Sequence, residues 1–271
     1  MAFKTEALKP NIGTRIFASK DDLLSGKYAA EIRVLLEQRG VLVFPQANFS
    51  DDEQVTFTGT LGTLAPELKG ETIFKVTLDT AANAHADYLK GSMYWHIDGT
   101  MNDVPILASI LSAKYLPPEG GQTDFCNTYA AYEALPGSER AIYDRFKVMH
   151  AAWNSLFFYD PEPNQAMLEG MMAIGDNEIP LVWKHGTGRK SLVLGATAYQ
   201  IMGQDAKESA RILNKLREWA TQANFVYRHD WTVGDTVIWD NTGTMHRALP
   251  YDPKSGRLLH RTKLEGEEAF A

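Results

Sequence analysis

One cysteine in 271 residues, Cys126, leaves nothing for an intrachain disulfide, so the fold must stand on its apolar core. Long apolar runs are missing as well. Val41-Leu42-Val43-Phe44 and Ser191-Leu192-Val193-Leu194 have strand length, far short of the roughly 20 residues that cross a bilayer, and a membrane protein is not expected. Basic clusters are absent. With a net charge of -7 and a pI near 5.5, the chain offers no face of Lys and Arg for phosphates, which argues against nucleic acid. No G-x-G-x-x-G follows a strand-like segment, and Gly186-Thr187-Gly188-Arg189-Lys190 lacks the glycine spacing of a phosphate-binding loop, so both nucleotide readings fail. No internal repeat or linker divides the chain, and one domain over residues 1–271 is expected. The lone cysteine and the polar, unpatterned N-terminus point to the cytoplasm. Cys126 itself reads as packing.

What is present changes character along the chain. From Lys27 to Arg39, Ala29, Ile32, Leu35 and Leu36 recur at helical spacing, with Gly40 where a left-handed cap belongs, before a strand Val41–Phe44. Ser50 and Glu53 form a capping-box signature for a second helix to about Leu61. After residue 70, short β-branched or aromatic runs dominate: Thr72–Thr77, Ile106–Ser112, Ser191–Gly195, Phe225–His229 and Thr236–Trp239. Helical spacing returns only at Ser138–Phe146 and Asp205–Gln222. Many short strands with a few helices predict a mainly β fold with flanking helices around a double-stranded β-helix core, jelly-roll and cupin-like.

Within Tyr94-Trp95-His96-Ile97-Asp98, an imidazole and a carboxylate stand two apart, and on a strand such residues share a face. Two histidines and one carboxylate on one face of an octahedral ion leave positions open, the arrangement of non-haem Fe(II) oxygenases. Alone the pair is weak, because 7 His and 34 acidic residues give about one His-x-acid pair by chance. His85-Ala86-Asp87 is such a twin, in Ala/Asn-rich sequence that reads as a loop.

Further signals converge. His246 follows the strand-like Thr236–Trp239 and a polar turn, and Arg257 and Arg261 lie four apart on the next strand-like segment, hence on one face. Two guanidinium groups beside a metal call for carboxylate ligands. Gly120-Gly121-Gln122-Thr123 turns the chain into a strand and offers the Thr123 hydroxyl to such a carboxylate.

Together, Trp95-His96-x-Asp98, Gly-Gly-x-Thr at 120–123, Trp239-Asp240-Asn241, His246, and arginines at 257 and 261 make the chain resemble the TauD/TfdA (taurine dioxygenase / 2,4-dichlorophenoxyacetate dioxygenase) family of Fe(II)/2-oxoglutarate-dependent dioxygenases. Thr123–Cys126, Ala130–Pro136, Phe225–His229 and Trp231-x-Val233-Gly234-Asp235 look most like its TfdA-like branch. The resemblance implies iron ligands His96, Asp98 and His246, with Thr123 and Arg257 on the distal carboxylate of 2-oxoglutarate and Arg261 on the substrate's anionic group. It implies O2 as co-substrate, succinate and CO2 as co-products, hydroxylation of a small anionic molecule, and self-association into a homo-oligomer. If the hydroxylated carbon bears an ether oxygen, hydroxylation reads out as C–O cleavage.

Other readings remain open at this level. Lys75 and Tyr94 are candidates for substrate contact, and Tyr94, Trp95, Phe157, Phe158 and Tyr159 suit an aromatic or aryloxy carboxylate. A sulfonate or sulfate ester is the alternative within the family. A Zn-dependent hydrolase on the same three ligands would leave Thr123 and Arg257 without a role, and a non-catalytic jelly-roll sensor of a small anion would bind its ligand with no succinate released. His150, His185, His229 and His260 read as structural histidines, and Met171-Met172 as core or pocket lining.

Overall fold

A computed structural model of the chain describes residues 3–67 and 70–271. The chain begins with a hairpin, β1 (Lys4–Ala7) and β2 (Thr14–Phe17), then α1 (Lys20–Leu24), α2 (Ala29–Arg39), β3 (Val41–Phe44) and α3 (Asp51–Leu61). Gly40 caps α2 at φ 70° with its amide on the Leu36 carbonyl, and Ser50 and Glu53 close the reciprocal capping box of α3, as the sequence predicts. Strands β4 (Leu64–Ala65), β5 (Phe74–Val76), β6 (Ala108–Tyr115) and β7 (Thr123–Asn127) follow, then α4 (Thr128–Glu133) and α5 (Gly137–Tyr143).

Next come β8 (Lys147–Ala151), α6 (Ala152–Tyr159), α7 (Gln165–Met172), β9 (Asp176–Pro180), the hairpin β10 (Val182–Lys184) and β11 (Lys190–Leu192), and β12 (Ala198–Ile201), of which only β11 overlaps a run the sequence marks, Ser191–Gly195. α6 and α7 are each only 8 residues long, too short for helical periodicity to stand out. α8 (Ala206–Ala220), β13 (Val226–His229), β14 (Thr236–Asp240), β15 (Thr244–Ala248) and β16 (Leu258–Leu264) complete the chain.

The major sheet runs β1-β2-β3-β14-β6-β16-β4, with β5 also on β16; only β2 and β3 pair in parallel, the crossover between them being α1 and α2. Against it lies a smaller sheet, β13-β7-β15. Strand alternation sorts the side chains. Val41, Val43, Leu111, Val237 and Trp239 face Phe125 and Tyr227 of the smaller sheet, whereas Leu42, Phe44, Ile110 and Ile238 pack outward under α2 and α3. This two-sheet core is the expected jelly roll, with helices on the outer face. No described helix is long and apolar enough to cross a membrane.

Candidate active site

His96 lies outside any regular strand. It forms an isolated antiparallel bridge with His246 of β15, and each amide donates to the other's carbonyl, at 3.1 and 2.9 Å. Residues opposed in this way put their side chains on one face, and the two imidazole centroids are 4.1 Å apart. Asp98, two residues on, brings Oδ1 to 3.6 Å from His96 Nε2 and 3.9 Å from His246 Nε2. Among the described residues this trio alone gathers three ligand atoms, all within 4.8 Å of one another.

Two of the three donors, His96 and Asp98, are oriented by hydrogen bonds to their side chains. His96 Nδ1 sits 2.8 Å from the Tyr94 carbonyl, which fixes Nε2 as the lone-pair nitrogen facing Asp98. Ser109, on the inner face of β6, donates to Asp98 Oδ2 at 2.9 Å, leaving Oδ1 to the site. Behind Ser109, Asn241 donates to its hydroxyl at 3.0 Å, and Trp239 Nε1 donates to Asn241 at 2.8 Å. Burial, helped by His96, pushes His246 down to about 3, so its imidazole is neutral at neutral pH. For Asp98, burial opposes ionisation, but His246, Arg261, His96 and Ser109 outweigh it and hold the carboxyl well below the usual range. An ionised carboxylate beside two imidazoles is the donor set an Fe(II) facial triad needs.

Arg257, just before β16, is fully buried. Its Nη2 donates to the Gly121 carbonyl at 3.0 Å, its guanidinium covers the Tyr251 ring at 4.6 Å, and no carboxylate among the described residues pairs with it. Its Nε is buried with no hydrogen-bond partner among the described residues. Gly121, at φ 73°, is required at this point: a Cβ would lie 2.8 Å from that Nε. Thr123 follows two residues later on β7, opposite Ala248 of β15, and therefore on the face that carries Phe125 and His246. Trp231 Nε1 donates to the Thr123 oxygen at 3.0 Å, which leaves the hydroxyl hydrogen free to donate elsewhere. A buried cation without a counter-charge can accept an anionic partner.

Three other expectations change. Arg261 does reach the inner face, over the Phe74 ring at 4.9 Å, but its fork is already closed on Glu67 by Nε and Nη2 bonds of 3.0 and 2.9 Å. Lys75 opposes His260, whose imidazole turns outward to Asp51 at 2.7 Å, so Lys75 is exposed on the outer face rather than in the pocket. Trp95 is core, beneath the Arg247 guanidinium, and Phe157 is exposed against Trp153. Tyr94 packs against Phe158 with ring centroids 5.4 Å apart and the planes tilted by 57°, and Phe158 lines a cavity of about 380 Å3 with Asn154, Leu194 and Arg217.

The remaining histidines stay apart from the trio: His150 meets Thr197, His185 meets Ser191, His229 meets Tyr227 and His260 meets Asp51. His85 lies in a turn, and Asp87 pairs with Lys90. Cys126 is buried with its thiol pushed up by burial, and inert. Ser109 was visible in the sequence only as a small polar residue in an apolar strand, and Glu67 carried no signal.

Residues 4–263 match the family described as taurine catabolism dioxygenase TauD, TfdA family. The (S)-phenoxypropionate/alpha-ketoglutarate-dioxygenase of Delftia acidovorans is 35% identical over 247 residues, 84% of this chain and 83% of that protein. The alpha-ketoglutarate-dependent 2,4-dichlorophenoxyacetate dioxygenase of Cupriavidus pinatubonensis is 35% identical over 261 residues, 89% of each. The crystal structure of AAD-2 in complex with Mn(II) and N-oxalylglycine superposes with a TM-score of 0.86 at 28% identity, covering 100% of both chains. The chain therefore belongs to the TauD/TfdA family and is an alpha-ketoglutarate-dependent dioxygenase.

Proposed function

We propose that the enzyme hydroxylates a small aromatic or aryloxy carboxylate, holding Fe(II) on His96, Asp98 and His246 and the distal carboxylate of 2-oxoglutarate between Arg257 and Thr123. Fe(II) with 2-oxoglutarate and O2 supplies the oxidation of a substrate C–H bond, with succinate and CO2 as co-products. The observation that carries the reading is the unpartnered Nε of buried Arg257 in the same fold as a three-donor cluster. A zinc hydrolase needs the cluster but has no use for that cation.

The chain's own contributions follow from the geometry. Ser109, backed by Asn241, keeps one oxygen of Asp98 occupied so that the other faces the ion. The Tyr94 carbonyl sets the His96 tautomer. Arg257 neutralises the co-substrate's charge where water is excluded, and Thr123 adds a hydroxyl donor. The substrate's anion meets the Nη1 edge of Arg261, the edge that Glu67 leaves, and its ring lies towards Tyr94 and Phe158. If the hydroxylated carbon carries an ether oxygen, the product is a hemiacetal that falls apart into a phenol and a carbonyl compound.

The test is succinate release with added Fe(II) and 2-oxoglutarate across aryloxyalkanoates, aromatic acids, alkyl sulfonates and alkyl sulfates. Substrate-dependent succinate with an aryloxyalkanoate or an aromatic acid supports the reading. Turnover confined to the sulfur compounds would move the enzyme to the alternative substrate class, and hydrolysis without O2 uptake would sink the dioxygenase mechanism.

A further inference from the structure

Glu67 is a buried carboxylate that lies between two cations of the same pocket wall. Its side chain is 1% exposed. Arg261 grips it with two hydrogen bonds and Lys263 approaches to 3.1 Å. Arg261 and Lys263 are two apart on β16 and point inward, opposite Leu111 and Ser109 of β6, and Ser109 is the residue that binds Asp98. The group of three carries two positive charges and one negative, a net of one; Arg261 also acts on the Asp98 carboxylate, but a metal ion on the trio would answer that charge, so one positive charge is left for a docked ligand. It is thus matched to a single negative charge on whatever docks there.

We propose that Glu67 is a specificity-determining residue that limits the substrate to one negative charge. This rests on the reading of Arg261 as the anion contact of the substrate site. An unpaired Arg261 beside Lys263 would present two positive charges and a complete guanidinium fork, suited to a dianion or to bidentate clamping of one carboxylate. Glu67 removes both features. It fills the Nε–Nη2 edge, so an incoming carboxylate meets only the remaining edge, and it lowers the local potential by one charge. Because Coulomb energy scales with the product of charges, the penalty Glu67 imposes is near zero for a neutral ligand, present for a monoanion and about twice as large for a dianion.

Three probes on one skeleton read this out: phenoxyacetamide, phenoxyacetate and phenoxymalonate, with charges of zero, minus one and minus two. kcat/KM for each is measured by succinate release in the Fe(II)-loaded enzyme and in Glu67→Gln. The expected result is no change for the amide, a rise of about tenfold for phenoxyacetate and roughly the square of that for phenoxymalonate. Lys263→Gln removes a positive charge from the same group and is expected to shift the series the other way, which decides the matter if Glu67→Gln does not fold. A folded variant in which all three probes change by the same factor, or none changes, overturns the charge-limiting role. Wild-type enzyme that releases no succinate with any of the three probes instead sinks the substrate reading beneath it.

Discussion

His96 and His246 hold each other by a closed pair of backbone hydrogen bonds, 3.1 and 2.9 Å, 150 positions apart in the chain. Their rings are set side by side before any ion arrives, and Asp98 is delivered to the same face by its two-residue offset. Preorganisation of this kind means that binding does not have to order the backbone.

Removing a donor from the trio is therefore expected to abolish 2-oxoglutarate turnover. His246→Ala and Asp98→Ala should release no succinate while keeping the wild-type circular dichroism spectrum. Retained activity in either variant would end the assignment of these residues as ligands.

The Ser109 hydroxyl holds Oδ2 of Asp98, and Asn241 holds Ser109. Ser109→Ala is expected to weaken Mn(II) binding to the metal-free protein by about 10- to 100-fold, with a smaller loss in Asn241→Ala. Titration followed by the electron paramagnetic resonance of free Mn(II) measures this independently of catalysis. Equal affinities in Ser109→Ala and wild type would show that Asp98 needs no such support.

Arg257 is a buried charge that donates to the Gly121 carbonyl and has no carboxylate partner among the described residues. Replacing it by an apolar side chain of similar reach, Arg257→Met, is expected to leave the ligand-free protein as stable as wild type, or about 1 kcal/mol more so. The same variant should raise KM for 2-oxoglutarate on the order of a hundredfold, because the co-substrate's carboxylate loses its counter-charge. Thermal unfolding with and without 2-oxoglutarate separates the two effects. An undiminished stabilisation by 2-oxoglutarate in the variant would show that the carboxylate binds elsewhere.

Stability should depend on pH in a direction set by buried groups. Burial holds His150 and His246 down to about 3 and His185 down to about 4, whereas the unfolded histidines titrate near 6.5. Below that value the unfolded chain takes up protons that the folded one refuses, so stability falls with pH, by up to about 1.4 kcal/mol per pH unit for each histidine. Asp240 acts oppositely. Burial raises its carboxyl to about 7, so the folded chain takes up this proton first and gains stability as pH falls from 7 towards the ordinary carboxylate range. The melting temperature of the metal-free protein is expected to drop from pH 7 to 4.5, less steeply in His150→Gln and more steeply in Asp240→Asn. Parallel curves for all three proteins would refute an origin in these buried groups.

Local elements with strong, short-range signals could be read directly from the residues. The Ser50–Glu53 capping box, Gly40 after α2, and the apolar run Val41–Phe44 depend on neighbours within a few residues, and the structure has them as read. The spacing of His96 and Asp98, and the positions of Thr123, His246 and Arg257, were likewise legible because each residue type is chemically unusual where it stands. Tertiary structure decided the rest. That His85 and Asp87 sit in a turn while His96 and Asp98 meet His246 follows from a pairing across 150 residues, which no local pattern encodes. Lys75 and Arg261 were both candidates for an anion contact, yet strand register turned one outward and gave the other a buried partner in Glu67. Charge compensation in a folded interior depends on which side chains the sheets bring within a few ångströms, and only the assembled sheets fix that.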